Sequence, residues 1–291
     1  MAEADVWTIR RLLAWTQDYF ARHGIEEPRL DSEILLGHVL GKSRIYLYTD
    51  FNQIVNPEEL AAFKILIQKR VAGFCTAVLV GKREFMGISF HVNEHVLVPR
   101  PDTEAWLETI IGNYRNLPDI SMLDLGTGSG AIAVSFLSFC KEAKGVAVDI
   151  SPEALAVARG NGEAAGVSKR IEWREGDFLK ALSQEETFDV ILTNPPYIPR
   201  AVIETLAPEV RREPHTALDG GEDGLDFYRI LAKDAAAHVK PGGLLAMEVG
   251  IGQSEDVQAL FFGNPAWADS SILRDYGGRD ARAVCMRRAD A

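Results

Sequence analysis

Residues 121–134 read Ser-Met-Leu-Asp-Leu-Gly-Thr-Gly-Ser-Gly-Ala-Ile-Ala-Val, with three alternating glycines between two apolar runs. The first run is typical of a buried strand and the second of the start of a helix. Glycine lets the backbone turn tightly and approach a ligand, and amides at a helix N-terminus carry positive partial charge. The stretch therefore predicts a strand, a ligand-binding loop and a helix in succession.

The alternation of strand and helix patterns continues from about residue 100 to the end of the chain. The candidate strands are 121–125, 145–148, 170–174, 190–193, 244–248, 271–275 and 283–287, and the helix-like segments are 103–114, 130–141, 154–165 and 225–238. This order predicts an α/β fold with a doubly wound, mostly parallel seven-stranded sheet covered by helices on both faces. A short turn with Gly277-Gly278 predicts that the last two strands form an antiparallel hairpin at the sheet edge.

The first hundred residues follow different patterns. Apolar residues at helical spacing in residues 5–73 predict a small bundle without catalytic spacing, which we interpret as a binding or positioning domain. Apolar alternation punctuated by glycines in residues 74–98 predicts a linker of short hairpin strands. The predicted domains are thus 1–73, 74–98 and 99–291.

Composition narrows the classes of function. The 291 residues suffice for two domains, and the net charge of 31 − 42 = −11 argues against broad binding to a nucleic-acid backbone. Cys75, Cys140 and Cys285 have no paired spacing, so we expect no metal site, no disulfide framework and a reducing, cytoplasmic compartment. Residues 1–5 lack a signal-peptide pattern, and no apolar run reaches membrane-spanning length.

The glycine loop differs from two common phosphate-binding motifs. Its spacing is G-x-G-x-G rather than the G-x-G-x-x-G of dinucleotide folds, and no Gly-Lys-Ser/Thr of a P-loop follows. The tighter spacing resembles the S-adenosylmethionine loop of class I methyltransferases. Asp124 lies beneath this loop, and we expect it either to fix the loop or to reach the ammonium group of the methionine moiety.

Two further acidic positions follow candidate strands. Asp149 comes about 20 residues after the glycines, where a carboxylate can accept hydrogen bonds from both ribose hydroxyls. Asp177 and Phe178 follow the third strand, where the carboxylate or backbone can meet an adenine edge and the ring can cover an adenine face. Either acid could instead be a helix cap or a solvated loop residue.

A second motif, Asn194-Pro195-Pro196-Tyr197, directly follows the apolar run 188–193. The prolines end that strand because they cannot donate to a sheet ladder. The Asn194 side-chain carbonyl and the Pro195 backbone carbonyl are acceptors that together can bind both hydrogens of an –NH2 group, and the Tyr197 ring can stack on a planar substrate. The alternative is a strand that simply ends in a proline turn.

Taken together, the motifs resemble the peptide-chain release factor glutamine N5-methyltransferase family, also called the HemK family. The resemblance covers nearly the full length, including the helical N-terminal domain. It is carried, in chain order, by residues 98–104, 124–130, Asp149, Asp177-Phe178, 194–197, Glu213-Pro214, Ala217-Leu218, Gly220-Gly221 and 223–225. One departure is residues 73–81, which replace the family's usual proline-and-tyrosine stretch.

The resemblance implies a fold, a cofactor and a substrate. The fold is Rossmann-like, and the donor S-adenosylmethionine leaves as S-adenosylhomocysteine. The acceptor is the glutamine in the Gly-Gly-Gln loop of class I release factors, which is modified without direct binding of nucleic acid or membrane. The implied cofactor-binding residues are Asp124, Gly126, Thr127, Gly128, Ser129, Gly130, Asp149, Asp177, Phe178 and Asn194. Asn194, Pro195, Pro196 and Tyr197 are implied to bind the substrate, and Asn194, Pro195 and Tyr197 to be catalytic.

Several alternatives stay open at this point. An enzyme that methylates amino groups of DNA or RNA bases presents the same –NH2 geometry, although it needs a flipped base and a basic groove. A ribosomal-protein glutamine methyltransferase shares the chemistry, and a catalytically silent adaptor is a third class. Arg100 and Glu104 either wall the cofactor pocket or form an ion pair, and His215 is interpreted as a loop residue rather than a base.

Overall fold

The chain forms two compact units, seen here in a computed structural model that describes residues 6–290. The first unit contains the described residues up to Gly81 together with residues 207–212, and the second contains residues 82–206 and those from 213 onward. The expectation for residues 1–5 lies outside the described residues. Among residues 6–290, no helix has the length and apolar character needed to cross a membrane.

The first unit is a helical bundle. Helix starts follow local signals: Thr8 accepts a hydrogen bond from the Arg11 amide, and Asn56 forms a reciprocal capping box with Glu59. Its core contains Ile9, Phe20, Leu35, Leu36, Leu47 and Phe63, all buried. The helices are α1 Ile9–Arg22, α2 Pro28–Leu40, α3 Tyr46–Thr49, α4 Pro57–Val71 and α5 Thr76–Val80.

Residues 207–212 belong to this unit through a buried arginine. The Arg70 guanidinium lies 2.6 Å from an Asp31 carboxylate oxygen on α2 and 2.6 Å from a Glu209 carboxylate oxygen. Arg70 is almost completely buried, so both carboxylates are needed to offset the loss of its hydration. A segment distant in the sequence thus completes the charge balance of the bundle.

The predicted linker is only partly a hairpin. Strands β1 Lys82–Phe85 and β2 Ile88–His91 pair in antiparallel register and belong to the second unit. Residues 76–80, predicted to be part of this hairpin, instead form α5, which Gly81 ends in the left-handed conformation with φ of 74°. The strand prediction was wrong there because the four apolar residues after Thr76 are too few to show a period that distinguishes strand from helix.

The second unit contains the predicted seven-stranded sheet. Its strand order is β5-β4-β3-β6-β7-β9-β8, in which β9 is antiparallel to both of its neighbours and the other paired strands are parallel. This confirms the doubly wound fold and the edge hairpin. The strands are β3 Ser121–Leu125, β4 Lys144–Asp149, β5 Ile171–Glu175, β6 Phe188–Thr193, β7 Val239–Glu248, β8 Trp267–Arg274 and β9 Ala281–Arg288. The α-helices are α6 Pro101–Tyr114, α7 Ala131–Phe139, α8 Pro152–Ala164, α9 Arg200–Ile203, α10 Asp226–Asp234 and α11 Ser254–Phe261.

Alternate residues of each strand serve two cores. Met122 of β3 lies in the core shared with α6 and α7, whereas Leu123 lies in the core shared with α10 and α11. Because β3 leads to β4 on one side and is paired with β6 on the other, the strand order reverses between β3 and β6. Ligands of open α/β sheets bind at the carboxyl ends of the strands beside such a reversal.

Candidate active site

A cavity of about 350 Å³ lies at this edge of the second unit. Its walls come from the loops after β3, β4, β5 and β6, together with residues 95–100 and 214–219. The volume falls within the usual range of small-molecule sites. The predicted residues that line it are Gly126, Thr127, Gly128, Ser129, Asp149, Asp177, Phe178, Asn194 and Pro196, whereas Asp124, Gly130, Pro195 and Tyr197 do not.

The glycine loop forms the floor of this cavity. Gly126 and Gly128 have φ of 71° and 55°, the left-handed region that favours glycine, and no protein atom lies within 4 Å of a Cβ built on either. The amides of Gly126 and Thr127 both donate to the Val148 carbonyl at 2.9 Å, which joins the loop to β4. The backbone is therefore open toward a ligand and fixed on its other side.

Asp124 fixes the loop from beneath. Its Oδ2 atom accepts hydrogen bonds from the Thr127 hydroxyl at 2.7 Å and the Ala133 amide at 3.1 Å. Its Oδ1 atom is buried and has no hydrogen-bond partner within residues 6–290. Complete burial raises the pKa of Asp124 to about 7. Of the two expected roles, these contacts correspond to loop fixing, and contact with an ammonium group stays a prediction.

Asp149 is the last residue of β4, and both of its carboxylate oxygens accept hydrogen bonds from backbone amides. Oδ2 accepts from the Gly128 amide at 2.8 Å, and Oδ1 accepts from the Ser151 amide at 3.0 Å. Burial raises the pKa of this carboxyl group, although these amide hydrogen bonds oppose the shift. Each oxygen has further acceptor capacity, so the group can bind two adjacent hydroxyls while its own position is fixed.

Phe178 and Asp177 differ in how firmly they are held. Phe178 is buried, has the unusual φ of 54° and meets the Phe227 ring edge to face with centroids 5.2 Å apart. Asp177 is half-exposed and forms an ion pair with Lys180. Phe227 also lines the cavity and was missed in the sequence because it lies in the first turn of a helix far downstream.

The Asn-Pro-Pro-Tyr segment turns sharply after β6. Asn194 and Pro196 face the cavity, while the Tyr197 ring packs against the core that contains α10 and α11. Burial raises the pKa of Tyr197 to about 12, so the phenol keeps its proton. The Tyr197 carbonyl accepts a hydrogen bond from the Gln253 side-chain amide at 3.0 Å, which holds the turn in place.

Two buried groups support Asn194 from behind. The Asn194 Nδ2 atom donates to the Thr103 hydroxyl oxygen at 3.5 Å, and the Thr103 hydroxyl donates to Glu248 Oε2 at 2.6 Å. The Trp106 Nε1 atom donates to the same carboxylate oxygen at 2.9 Å. Glu248 is fully buried, and burial raises its pKa. Sequence reasoning missed Glu248 because no local pattern connects the end of β7 to residues on α6.

The sequence left open whether Arg100 and Glu104 form an ion pair or wall the cofactor pocket. They do not pair with each other. The Arg100 Nη2 atom donates to Glu213 Oε2 at 2.6 Å, and Glu104 instead accepts from the Met86 amide at 3.2 Å. Glu213 also accepts from the Val98 amide at 3.3 Å, so it joins two walls of the cavity. His215 lies at the rim, 3.9 Å from Asp219 and largely exposed.

The residues present fit S-adenosylmethionine. The glycine backbone offers an open surface, the fixed Asp149 carboxylate offers acceptors for ribose hydroxyls, and Phe178 with Phe227 offers an apolar wall. The part of the chain that the structure describes contains no cluster of three metal-ligating side chains. The fold and the site thus define a class I methyltransferase, whose methyl donor is S-adenosylmethionine.

Comparisons with known proteins assign the family. The chain is 42% identical to the release factor glutamine methyltransferase of Geobacter sulfurreducens over 95% of both chains. It is 39% identical to that of Moorella thermoacetica over 97% of this chain and all of the relative. The family model of the PrmC N-terminal domain matches residues 11–81, and that of the methyltransferase small domain matches residues 107–223. The chain belongs to the release factor glutamine methyltransferase family, which confirms the resemblance.

Solved structures support the fold alone. A methyltransferase from Pyrococcus furiosus aligns with a TM-score of 0.53 at 19% identity, covering 80% of this chain and all of that one. The catalytic domain of hMettl16, solved in complex with the MAT2A 3'UTR hairpin 1, aligns with a TM-score of 0.56 at 17% identity, covering 82% of this chain and 84% of that one. Such identities carry no information on substrate.

Proposed function

We propose that this enzyme transfers the methyl group of S-adenosylmethionine to the side-chain amide nitrogen, N5, of the glutamine in the Gly-Gly-Gln loop of class I release factors. The observation that carries the proposal is the placement of Asn194 in the same cavity wall as the glycine loop and Asp149. The Asn194 amide, proposed to bind the substrate, therefore lines the same cavity as the residues proposed to bind the methyl donor. The family assignment supports the same substrate.

The donor is held by residues of three loops in this proposal. Gly126, Gly128 and their neighbours would contact it through backbone, Asp149 would accept hydrogen bonds from its ribose hydroxyls, and Phe178 would cover its adenine. When bound, S-adenosylmethionine would supply a methyl group on a positively charged sulfur, and the bond from methyl to sulfur would break to leave S-adenosylhomocysteine as a neutral thioether. Because the donor carries no phosphate, the glycine loop does not need to bind an anion. Its role in this proposal is to let the backbone approach the donor closely.

Asn194 and Pro195 orient the acceptor. An amide nitrogen is a poor nucleophile because its lone pair is delocalised into the carbonyl. The Asn194 Oδ1 atom and the Pro195 carbonyl accept both of its N–H bonds, which fixes the nitrogen and stabilises positive charge as it develops there. Once alkylated, the nitrogen is strongly acidic, so a carbonyl or water accepts its proton and no ionised base is required.

The helical first unit is proposed to hold the rest of the release factor. Its surface carries an aromatic hollow in which the Trp15 ring stacks on Tyr19 at 5.0 Å and meets Trp7 edge to face at 6.3 Å. Trp15 is 47% exposed. Exposed, rigid aromatic side chains are the residue types that dominate binding energy in protein interfaces.

The same proposal covers compartment and partners. All three cysteines are free, and Cys140 and Cys285 are buried, which accords with a reducing cytoplasm. Burial raises the pKa of Cys140 to about 11 and that of Cys285 to about 12, so neither forms a thiolate readily. The net charge of −11 supports recognition of a protein rather than direct binding of nucleic acid.

A radiolabelled transfer assay tests the function. The full-length enzyme is incubated with labelled S-adenosylmethionine and purified release factors that carry either Gln or Ala at the acceptor position. We expect label only on the Gln form, and mass spectrometry should locate one added methyl group on that glutamine. Label on a ribosomal protein or on a nucleic acid, with none on the release factor, would contradict the proposal.

A further inference from the structure

The Thr103 hydroxyl connects three parts of the second unit at the candidate active site. Thr103 lies in the first turn of α6, Asn194 directly follows β6, and Glu248 ends the neighbouring strand β7. Thr103 and Glu248 are both buried, and Thr103 also lines the cavity. The hydroxyl therefore sits between a buried carboxylate and the amide that we propose to bind the substrate.

The direction of these hydrogen bonds follows from Glu248. Its Oε2 atom lies 2.6 Å from the Thr103 hydroxyl and 2.9 Å from Trp106 Nε1, and an indole N–H can only donate. In its ionised form the Glu248 carboxylate has no proton to donate, so Oε2 accepts from Thr103 as well as from Trp106, and the Thr103 proton is directed at Glu248. The Thr103 oxygen is then an acceptor toward Asn194, so the Asn194 side chain donates to it through its –NH2 group.

We propose that Thr103 is a positioning residue, held by Glu248, that fixes the Asn194 amide with its Oδ1 atom toward the acceptor nitrogen. The inference rests on the proposed function, because it assumes an –NH2 group as the acceptor. In the opposite orientation of the Asn194 amide, its –NH2 group would face the –NH2 group of the acceptor glutamine. Neither group could then accept a hydrogen bond from the other. The Asn194–Thr103 distance of 3.5 Å is at the long end of the hydrogen-bond range, and catalytic hydrogen bonds commonly tighten when substrate binds.

Replacing Thr103 tests this inference. Thr103→Val keeps the shape and removes the acceptor, and we expect kcat to fall about tenfold, the fold-change of one neutral hydrogen bond. The KM for the release factor and the affinity for S-adenosylmethionine should change little. Thr103→Ser restores the hydroxyl and should keep kcat within about twofold of the wild-type value, because the same hydrogen bonds form.

A double-mutant cycle separates positioning from a general structural effect. If Thr103 acts through Asn194, adding Thr103→Val to Asn194→Ala should lower kcat no further. An equal loss in both backgrounds would overturn the inference. Should Thr103→Val fail to fold, Glu248→Gln carries the same cycle, since a Gln side chain can donate to Thr103 and reverse the hydrogen-bond direction.

A second readout is independent of catalysis. The side-chain –NH2 resonances of Asn194 in the full-length 15N-labelled protein, assigned by their loss in Asn194→Ala, should shift in Thr103→Val and return in Thr103→Ser. Unchanged resonances in Thr103→Val would overturn the inference even if kcat falls. If wild-type enzyme transfers no methyl to the release factor, the proposed function fails, while these spectra still report on the Asn194 amide.

Discussion

The Asp149 carboxylate accepts a hydrogen bond from the Gly128 amide at 2.8 Å, which ties the end of β4 to the middle of the glycine loop. The group that we propose to bind the ribose is thus positioned by the loop that we propose to contact the rest of the donor. Loss of its charge should weaken donor binding in two ways, through lost hydroxyl contacts and through a loosened loop.

For Asp149→Asn, we expect the dissociation constant for S-adenosylmethionine to rise about 10- to 100-fold, the range of one charge-assisted hydrogen bond. Isothermal titration calorimetry measures it directly. Asp177→Asn is the matched comparison, and it should raise the constant less than about threefold because Asp177 is half-exposed and paired with Lys180. Equal effects of the two substitutions would contradict the assigned roles.

Asn194→Ala should separate transfer from binding. We expect kcat to fall about 10²- to 10³-fold, the usual cost of removing one preorganised transition-state hydrogen bond, while the fold and much of the donor affinity remain. Asn113→Ala on the exposed face of α6 serves as the control and should change neither. Near-normal transfer by Asn194→Ala would remove the proposed mechanism.

Gly220 allows the Asn-Pro-Pro-Tyr turn to pack closely. A Cβ at this position would lie 2.8 Å from the Tyr197 Cα and 2.9 Å from the Pro196 carbonyl oxygen. Gly220→Ala should therefore displace the turn, lower the free energy of unfolding by about 1–3 kcal/mol and reduce transfer more than donor affinity.

The control for this substitution is Gly160→Ala, since nothing lies within 4 Å of a Cβ on that exposed residue of α8. It should stabilise the protein by about 0.5–1 kcal/mol, because alanine is favoured in helices. Denaturant unfolding measures both variants. Normal stability and transfer in Gly220→Ala would show that the turn tolerates the added methyl group.

Asp124 makes stability depend on pH. Its pKa is about 7 in the folded protein and 3.8 as the ordinary value, so between these pH values only the folded state keeps the proton. Stability due to this group therefore falls as pH rises from about 4 to about 7, by on the order of 4 kcal/mol, and is constant above.

The side chain introduced by Asp124→Asn cannot ionise, so this variant lacks the pH-dependent contribution of Asp124 to stability. We expect the difference in unfolding free energy, wild type minus Asp124→Asn, to decline across that pH interval in denaturant titrations without donor present. Other titrating groups cancel because both proteins contain them. A difference that stays flat from pH 4 to pH 7 would refute a raised pKa.

The aromatic hollow of the first unit should affect only the protein substrate. For Trp15→Ala we expect the KM for the release factor to rise about tenfold, with kcat and donor affinity unchanged. Ile45→Ala is the matched control, because Ile45 is 74% exposed on the same unit but lies outside the hollow. Identical KM values for the two variants would argue against this surface.

The fold could be predicted because its signals are local. The glycine loop, the apolar runs of the central strands and the caps of the helices each depend on neighbouring residues. Residues 76–80 show the limit, since tertiary packing rather than periodicity decided their helix. Strand β7 likewise begins at Val239, before a Pro-Gly-Gly run that conceals it.

Residues of the candidate active site could be predicted only where they belong to a motif formed by neighbouring residues in the sequence. Asp149, Phe178 and Asn194 were predicted as site residues because each lies at or just after the end of a strand at the same sheet edge, and all three line the cavity. Glu248 and Phe227 were missed because their contacts join segments that lie far apart in the sequence, such as the 145 positions between Thr103 and Glu248. No pattern within a single segment reports such a contact.

The late arrival of Glu209 bears on how the protein is made. Arg70 is synthesised 139 residues before Glu209, its second carboxylate partner. At about 5–20 residues per second, Glu209 is synthesised on the order of 10 s after Arg70. Until then, Asp31 is the only one of the two carboxylate partners available to Arg70. During that interval the bundle is weaker than in the finished chain, so its final consolidation coincides with translation of the catalytic half.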